Sequence, residues 1–591
     1  MLFDSISTVA GLLSVGIYFA LTFIFPETDG NINSTSKKIR KLLLPVLLVW
    51  ILSSIGNLLA TLANLFEVGI TEMLDWVSIQ SYVTQTSLGR LQALQVVVSV
   101  TLILINPIIR RIGGAFFAFC IAMSGLVAPV FESHSAQAGS HGLAIGTLVI
   151  HVIAISIWFG GVSALYFMDR ETRSIALPRV STISTWSLVA IVATGVTSSL
   201  LRLGLSSVWF TLYGLLIITK VVILGSIVVI ALKIRKNIAQ VHLVGFESAL
   251  LVITMIIGSL LSRVTPLIDA ELPVDPARDL VGVTMPAAPT WQRLFFEYEA
   301  DALILGALIF VTALYIRGVV ALVRRGDRWP VGRTISFAIG ISLLDYSTSG
   351  GLGLYGIFSF KYHMVAHMVL SMIAPIFIIL SAPLTLALRT LPQGRGKEER
   401  GIRRWFLSIL HSRFSSVWTH PITALAIFDG SLFALYFTPL FGDLMSSHFG
   451  HLAMNLHFIG AGLLFFYVIV GVDPNPRRTH HLVRMVILLA AMSIHAFFSL
   501  ALMSSTTLID GGYYESLQRP WDLDLLADQR TGASLGWAMG EIPIVIAFIA
   551  TFIQWLRSDA REAKRADRNS ERELAEYNEY LRELAERRKD S

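Results

Sequence analysis

The sequence predicts an all-α, polytopic helical membrane protein of about 15 transmembrane helices in two bundles (8 + 7). The N-terminus is expected outside and the C-terminus in the cytoplasm. Three observations carry this. Of 591 residues, 54% are hydrophobic and 15% charged, with a mean hydropathy of +0.67, whereas soluble domains carry about 25% charged residues. Apolar runs long enough to cross a bilayer recur along the whole chain. Basic residues gather on alternate connections between those runs. The single cysteine, Cys120, excludes an internal disulfide framework and a cysteine-pair metal site.

The first eight spans are expected near 8–25, 42–66, 91–107, 113–131, 142–167, 183–201, 211–232 and 246–262. Asp4 stands where a cleaved signal would be basic, so the first run reads as a true span. Seven more follow near 301–323, 333–349, 363–388, 421–440, 448–472, 481–504 and 536–556, with 333–349 the weakest. Odd-numbered connections and the tail hold 36 of the 46 Lys and Arg, while the opposite loops are acidic, as at Glu67, Glu72, Asp269, Glu271 and Asp522. The net charge of +6 therefore reads as the positive-inside rule, with a lipid bilayer and no nucleic acid as partner. The chain divides into a membrane domain over 1–262, an outer proline-rich linker over 263–300, a second membrane domain over 301–556 and a charged cytoplasmic helical tail over 557–591. Pro266, Pro273, Pro276, Pro286 and Pro289 predict an extended linker. Leu574, Tyr577, Leu581 and Leu584 predict a helical tail, either a short coiled coil or a solvated extension. No loop is long enough for a catalytic domain, and no enzyme is expected.

Fourteen histidines and fifteen methionines make position the informative quantity. His134 and His141 precede the fifth span, and His151 lies roughly 13 Å deeper along it. A hydrogen bond to a neighbouring helix and a ligand path both account for His151. His363 and His367 share one helical face, so they could chelate a metal together, and Met364, Met368 and Met372 form a parallel stripe. His448, His451, Met454 and His457 recur every three residues on another helix, and the stripe drifts about 60° per step. His495 lies in the following span, near Met492 and Met503. Imidazole with thioether suits Cu(I), and the scarcity of carboxylates argues against Mg, Ca or Mn; zinc is possible through the histidines but does not need the methionines. Methionines at helical spacing are also ordinary core packing. Lys220, Asp429 and Glu541 are ionisable groups within spans, fit either for charge balance or for structural hydrogen bonds.

At these residues the chain resembles known families. His151, Trp158-Phe159-Gly160-Gly161, Arg179-Val180-Ser181, Thr194-Gly195, Tyr213-Gly214, Lys220 and Glu247, with the earlier His134, are similar to the CopD family of copper-resistance and copper-uptake membrane proteins. Trp329-Pro330 with Arg333, His363-Met364 with His367, His420-Pro421, His451 with His457 and Gly460, and Asp473-Pro474 resemble the CtaG family of cytochrome c oxidase assembly factors. His495 and Asp528-Gln529 leading to Trp537 and Glu541 complete that series. Gly536 stands where the family pattern leads us to expect methionine, with Met539 nearby as a substitute. The whole is similar to the actinobacterial CopD–CtaG fusion family, described as copper transport and insertion proteins.

The resemblance implies copper, as Cu(I), moved through the cell membrane of a bacterium and delivered to cytochrome c oxidase subunits. On this reading His134 and His151, with His141 as a further candidate, serve the first half. His363, His367, His448, His451, His457 and His495, with Met364 and Met368, hold the ion in the second. A bis-histidine haem protein and a metal-free oxidase assembly scaffold are the alternatives. Oligomeric state is not readable from the sequence.

Overall fold

The computed structural model describes residues 2–25, 27–28, 30–32, 34–132, 141–204, 207–236, 240–261, 264, 275–393, 401–475 and 479–589. Nearly all of them are helical, as a bilayer demands of a backbone that must satisfy its own hydrogen bonds. Among the described residues, thirteen helices are long and apolar enough to cross a membrane. Eight belong to the first half: α1 (Leu2–Phe23), α2 (Ser34–Leu65), α3 (Ser87–Ile105), α4 (Ile112–Val127), α5 (His141–Tyr166), α6 (Arg170–Leu203), α7 (Leu212–Lys236) and α8 (Val241–Leu261). In the second half follow α9 (Ala302–Arg324), α10 (Val331–Thr348), α11 (Phe360–Leu380), α12 (Pro421–Tyr436), α13 (His448–Val470), α14 (His481–Met503) and α15 (Leu525–Lys589). Two of the fifteen expected spans are not among the thirteen. α10 carries Arg333 and Asp345, and α12 is shorter than the roughly 20 residues a span needs.

In the first half α1 is central and packs on α2, α4, α5 and α8. Its approach to α5 depends on glycine: a Cβ at Gly160 would lie 2.1 Å from the Gly16 carbonyl oxygen. Each half builds a separate apolar core. They meet along α5 and α9, where a Cβ at Gly146 would lie 2.5 Å from the Leu303 nitrogen. Phe131, Ile145, Val149, Ile304 and Leu452 fill that junction.

The described part of the expected linker, residues 275–300, does not run free. Its carbonyls accept hydrogen bonds from the second half: Ala287 from the Tyr355 hydroxyl (2.8 Å), Pro286 from Trp521 Nε1 (3.1 Å) and Leu294 from the Tyr346 hydroxyl (3.0 Å). Prolines lack N–H groups but keep their carbonyls, so a proline-rich strap can still be seated by donors from below. At the other end, span and tail form one uninterrupted helix, α15, about 98 Å long at 1.5 Å per residue.

Both α11 and α12 contain one π-helical turn, at Val369–Ile373 and Ala426–Gly430. Such turns rotate the side chains on either side relative to one another and are frequent at functional sites. The first begins two residues after His367, and the second carries Asp429.

Candidate metal centre

The N-terminus of α11 is held from outside the helix. Asp528, on α15, accepts from the Phe360 N–H (2.9 Å) and the Ser359 hydroxyl (2.9 Å), so it caps α11 in trans. Arg519 pairs with the same carboxylate at 3.1 Å and donates to the Phe358 carbonyl at 2.8 Å, the two charged side chains being 2% and 3% exposed. This clamp fixes the first turn of α11, which presents His363, and the next turn, which presents His367.

His363 and His367 are both buried, their ring centres 3.9 Å apart. His451, one turn into α13, completes a group of three whose ligand nitrogens all lie within 4.8 Å of one another. Three nitrogens around one ion at about 2.0 Å would be about 3.5 Å apart, so closure needs shifts of roughly 1 Å. The Tyr436 hydroxyl lies 3.2 Å from His363 Nε2 and 3.1 Å from His367 Nδ1. A hydroxyl oxygen has two lone pairs and can accept N–H from both rings. That arrangement leaves lone pairs on Nδ1 of His363 and Nε2 of His367, and the latter atom is buried with no hydrogen-bond partner. Phe441 and Phe458 wall the site, their rings 5.1 Å from His363 and 4.2 Å from His367.

The other expected ligands stand elsewhere. His448 Nε2 lies 3.4 Å from the Asp301 carboxylate. His457 is exposed on the outer surface of α13. His495 is fully buried, with Nε2 3.2 Å from the Gly536 carbonyl and Nδ1 3.9 Å from Asp429. Both Asp429 oxygens, His495 Nδ1 and Glu541 Oε1 are buried without a hydrogen-bond partner. Met364 and Met368 are buried in the apolar core, and the Met364 sulfur would lie 3.1 Å from a Cβ at residue 536. In the first half His134 lies outside the described residues, as does the side chain of His141 at the start of α5. His151 Nδ1 meets the Thr194 hydroxyl of α6 at 3.0 Å, and Trp158 of the same helix donates to Glu247 of α8 at 3.2 Å. These pairs join residues of the CopD-like series across three helices. The trio in the second half is the one candidate metal group among the described residues.

Sequence reasoning missed Tyr436, which no spacing rule connects to histidines 69 and 73 residues away. It also missed the glycine stripe of α15, whose signal was present. Gly532, Gly536 and Gly540 are four apart, the small-residue spacing of close membrane helix contacts. A Cβ at these positions would meet Phe360 at 2.7 Å, Met364 at 2.8 Å and His495 Nε2 at 2.0 Å respectively. Glycine at 536 lets the Met364 side chain pack directly against the α15 backbone.

Two family models match the chain. The family model described as cytochrome c oxidase caa3 assembly factor matches residues 313–558. The model of the copper resistance protein D-like N-terminal domain matches residues 2–143, ahead of the His151–Glu247 series. Uncharacterized proteins of Mycobacterium bovis and Mycobacterium tuberculosis are each 38% identical over 314 residues, covering 52% of this chain and 48% of theirs. The chain spans about half the length of these curated relatives. Inner membrane protein YebZ of Escherichia coli is 29% identical over 195 residues, 32% of this chain and 67% of its own. No solved structure matches. The chain thus joins, within one multi-pass membrane protein, a region matching the copper resistance protein D-like N-terminal domain to a region matching the caa3 assembly factor model.

Proposed function

We propose that the second half holds Cu(I) between His363, His367 and His451 and passes it to a copper-requiring subunit of cytochrome c oxidase during assembly. The first half, through His134, His141 and His151, moves copper through the bacterial plasma membrane. The observation that carries the reading is the buried trio, three imidazoles within 4.8 Å. Charge favours the monovalent ion. The cost of burying an ion grows as the square of its charge, so a divalent ion costs about four times as much. No carboxylate belongs to the trio to offset that. Three neutral nitrogens with an open side also permit release, which a closed four-ligand cage would not. Thioether ligation is not required by this arrangement. The trio cannot serve as a bis-histidine haem site through His363 and His367, because rings 3.9 Å apart on one helical face leave no plane for a porphyrin between them.

The test is His363→Ala/His367→Ala in the full chain, with copper content of the purified protein and oxidase activity of the host membranes measured together. Both are expected to fall. Unchanged values for both would end the delivery reading, and copper-free protein that still sustains the oxidase would favour a metal-free assembly scaffold.

A further inference from the structure

Beside the trio lies a cleft where the two halves meet. Gly142 of α5 lines it from the first half, Glu299 from the strap, and Asp301, His448, His451 and Asn455 from the second half. It is not a surface dimple remote from the chemistry, because His451 belongs to both. The same ring forms the inner wall of the cleft and the third member of the trio.

Two acidic residues, Asp301 and Glu299, stand among otherwise mainly apolar lining residues. Asp301 accepts the N–H groups of Leu303 (2.9 Å) and Ile304 (3.1 Å) at the start of α9, which fixes its carboxylate in place. Its second oxygen faces His448 Nε2 at 3.4 Å. Glu299, which also lines the cleft, is tied by its N–H to the Ser349 carbonyl (2.8 Å). The first half closes the opposite side. A Cβ at Gly142 would touch the Ala300 carbonyl, Asp301 and the His448 ring at 3.4–3.5 Å, so the backbone of α5 passes directly over the pair. His448 and His451 are three residues apart, about 4.5 Å along the helix axis. Both line the cleft, so one helix carries an imidazole beside Asp301 and an imidazole of the trio.

We infer that this cleft is the loading route of the trio: Cu(I) first meets Asp301 and His448, then exchanges onto His451 and enters the pocket of His363 and His367. The carboxylates attract the cation and offset its charge while it still has access to water, and the neutral trio receives it. Copper remains monovalent throughout, so no electron or proton need move with it. The α5 helix thereby becomes a wall of the second half's site, which gives the fusion of the two halves in one chain a structural use. The inference rests on the proposed function of the trio.

The two can be told apart by measuring equilibrium copper stoichiometry and loading rate in the same full-length protein. Cu(I) held as its bicinchoninate complex is the donor, and loss of the donor's colour reports transfer. The pair is perturbed by Asp301→Asn, which keeps a capping side chain, and by His448→Ala. The cleft is blocked separately by Thr348→Cys in a Cys120→Ser background, labelled with a bulky methanethiosulfonate reagent. Thr348 lines the cleft and is not a ligand. The labelled protein is expected to bind as much copper as the unlabelled protein but to load at least tenfold more slowly, and Asp301→Asn and His448→Ala are expected to slow loading as well. Wild-type loading rates in labelled protein and in both variants, with copper still lost in His363→Ala/His367→Ala, would overturn the route and leave the trio intact. Equal copper in wild type and His363→Ala/His367→Ala would overturn the trio itself.

Discussion

Asp528 offers the sharpest stability test, because one carboxylate does three jobs. It accepts the Phe360 N–H at 2.9 Å, accepts the Ser359 hydroxyl at 2.9 Å and neutralises Arg519 at 3.1 Å. Asp528→Ala strands a guanidinium that is 2% exposed. Removing one partner of a buried pair costs about 3–5 kcal/mol, and loss of a cap about 1 kcal/mol. The terms share one group and do not add, so about 4 kcal/mol is expected, or roughly a thousandfold in the folding equilibrium. Replacing both partners, as Arg519→Met/Asp528→Leu, removes the stranded charge and should leave mainly the lost cap, about 1–2 kcal/mol. Denaturant unfolding in detergent, followed by tryptophan fluorescence, measures both. The first turn of α11 presents His363, so copper affinity should fall with the single variant. A single variant within about 0.5 kcal/mol of wild type, or a double variant less stable than the single, would refute the clamp.

Tyr436→Phe should lower copper affinity about 10–100-fold while preserving the fold, since the lost hydroxyl orients two ligand rings; a competition titration with unchanged affinity would contradict this. Gly540→Ala places a methyl 2.0 Å from the His495 ring and should destabilise by about 1–3 kcal/mol, and a melting temperature equal to wild type would deny that contact. Asp429→Leu removes a buried carboxylate with two unpartnered oxygens and should raise the melting temperature; a fall would show that the carboxylate is engaged. At the start of α6, the Thr172 N–H and side chain hold the Asp169 carboxyl below the usual carboxylate range. A depressed folded value gives stability present above the ordinary carboxylate pKa and lost as pH falls through the lower, folded one. Asp169→Asn should therefore flatten the acid limb of melting temperature against pH, and an unchanged limb would count against the cap.

The hydrophobic runs made the helices legible, because a span must be apolar over its own length and nothing else need be known. α10 was harder for the same reason, since Arg333 and Asp345 interrupt it, whereas 421–440 was read as a full span and α12 runs only over Pro421–Tyr436. His363 and His367 were legible as a chelating pair because four residues return to the same face. The α13 stripe was misleading in a way that its own geometry foretold. A drift of about 60° per step turns His448 toward Asp301, His451 toward the trio and His457 to the exposed surface. Tyr436, the Asp528 clamp and the strap over 275–300 depend on contacts between distant segments, and local pattern carries no trace of them. The glycines at 532, 536 and 540 were readable from their four-residue spacing.

The central claim is that three imidazoles and no sulfur bind one Cu(I). Copper K-edge X-ray absorption on the purified full-length protein tests it most directly. The predicted spectrum is that of monovalent copper with nitrogen neighbours at about 2.0 Å, lost in His363→Ala/His367→Ala. A dominant sulfur shell at about 2.3 Å, or a nitrogen shell that survives that substitution, would contradict it.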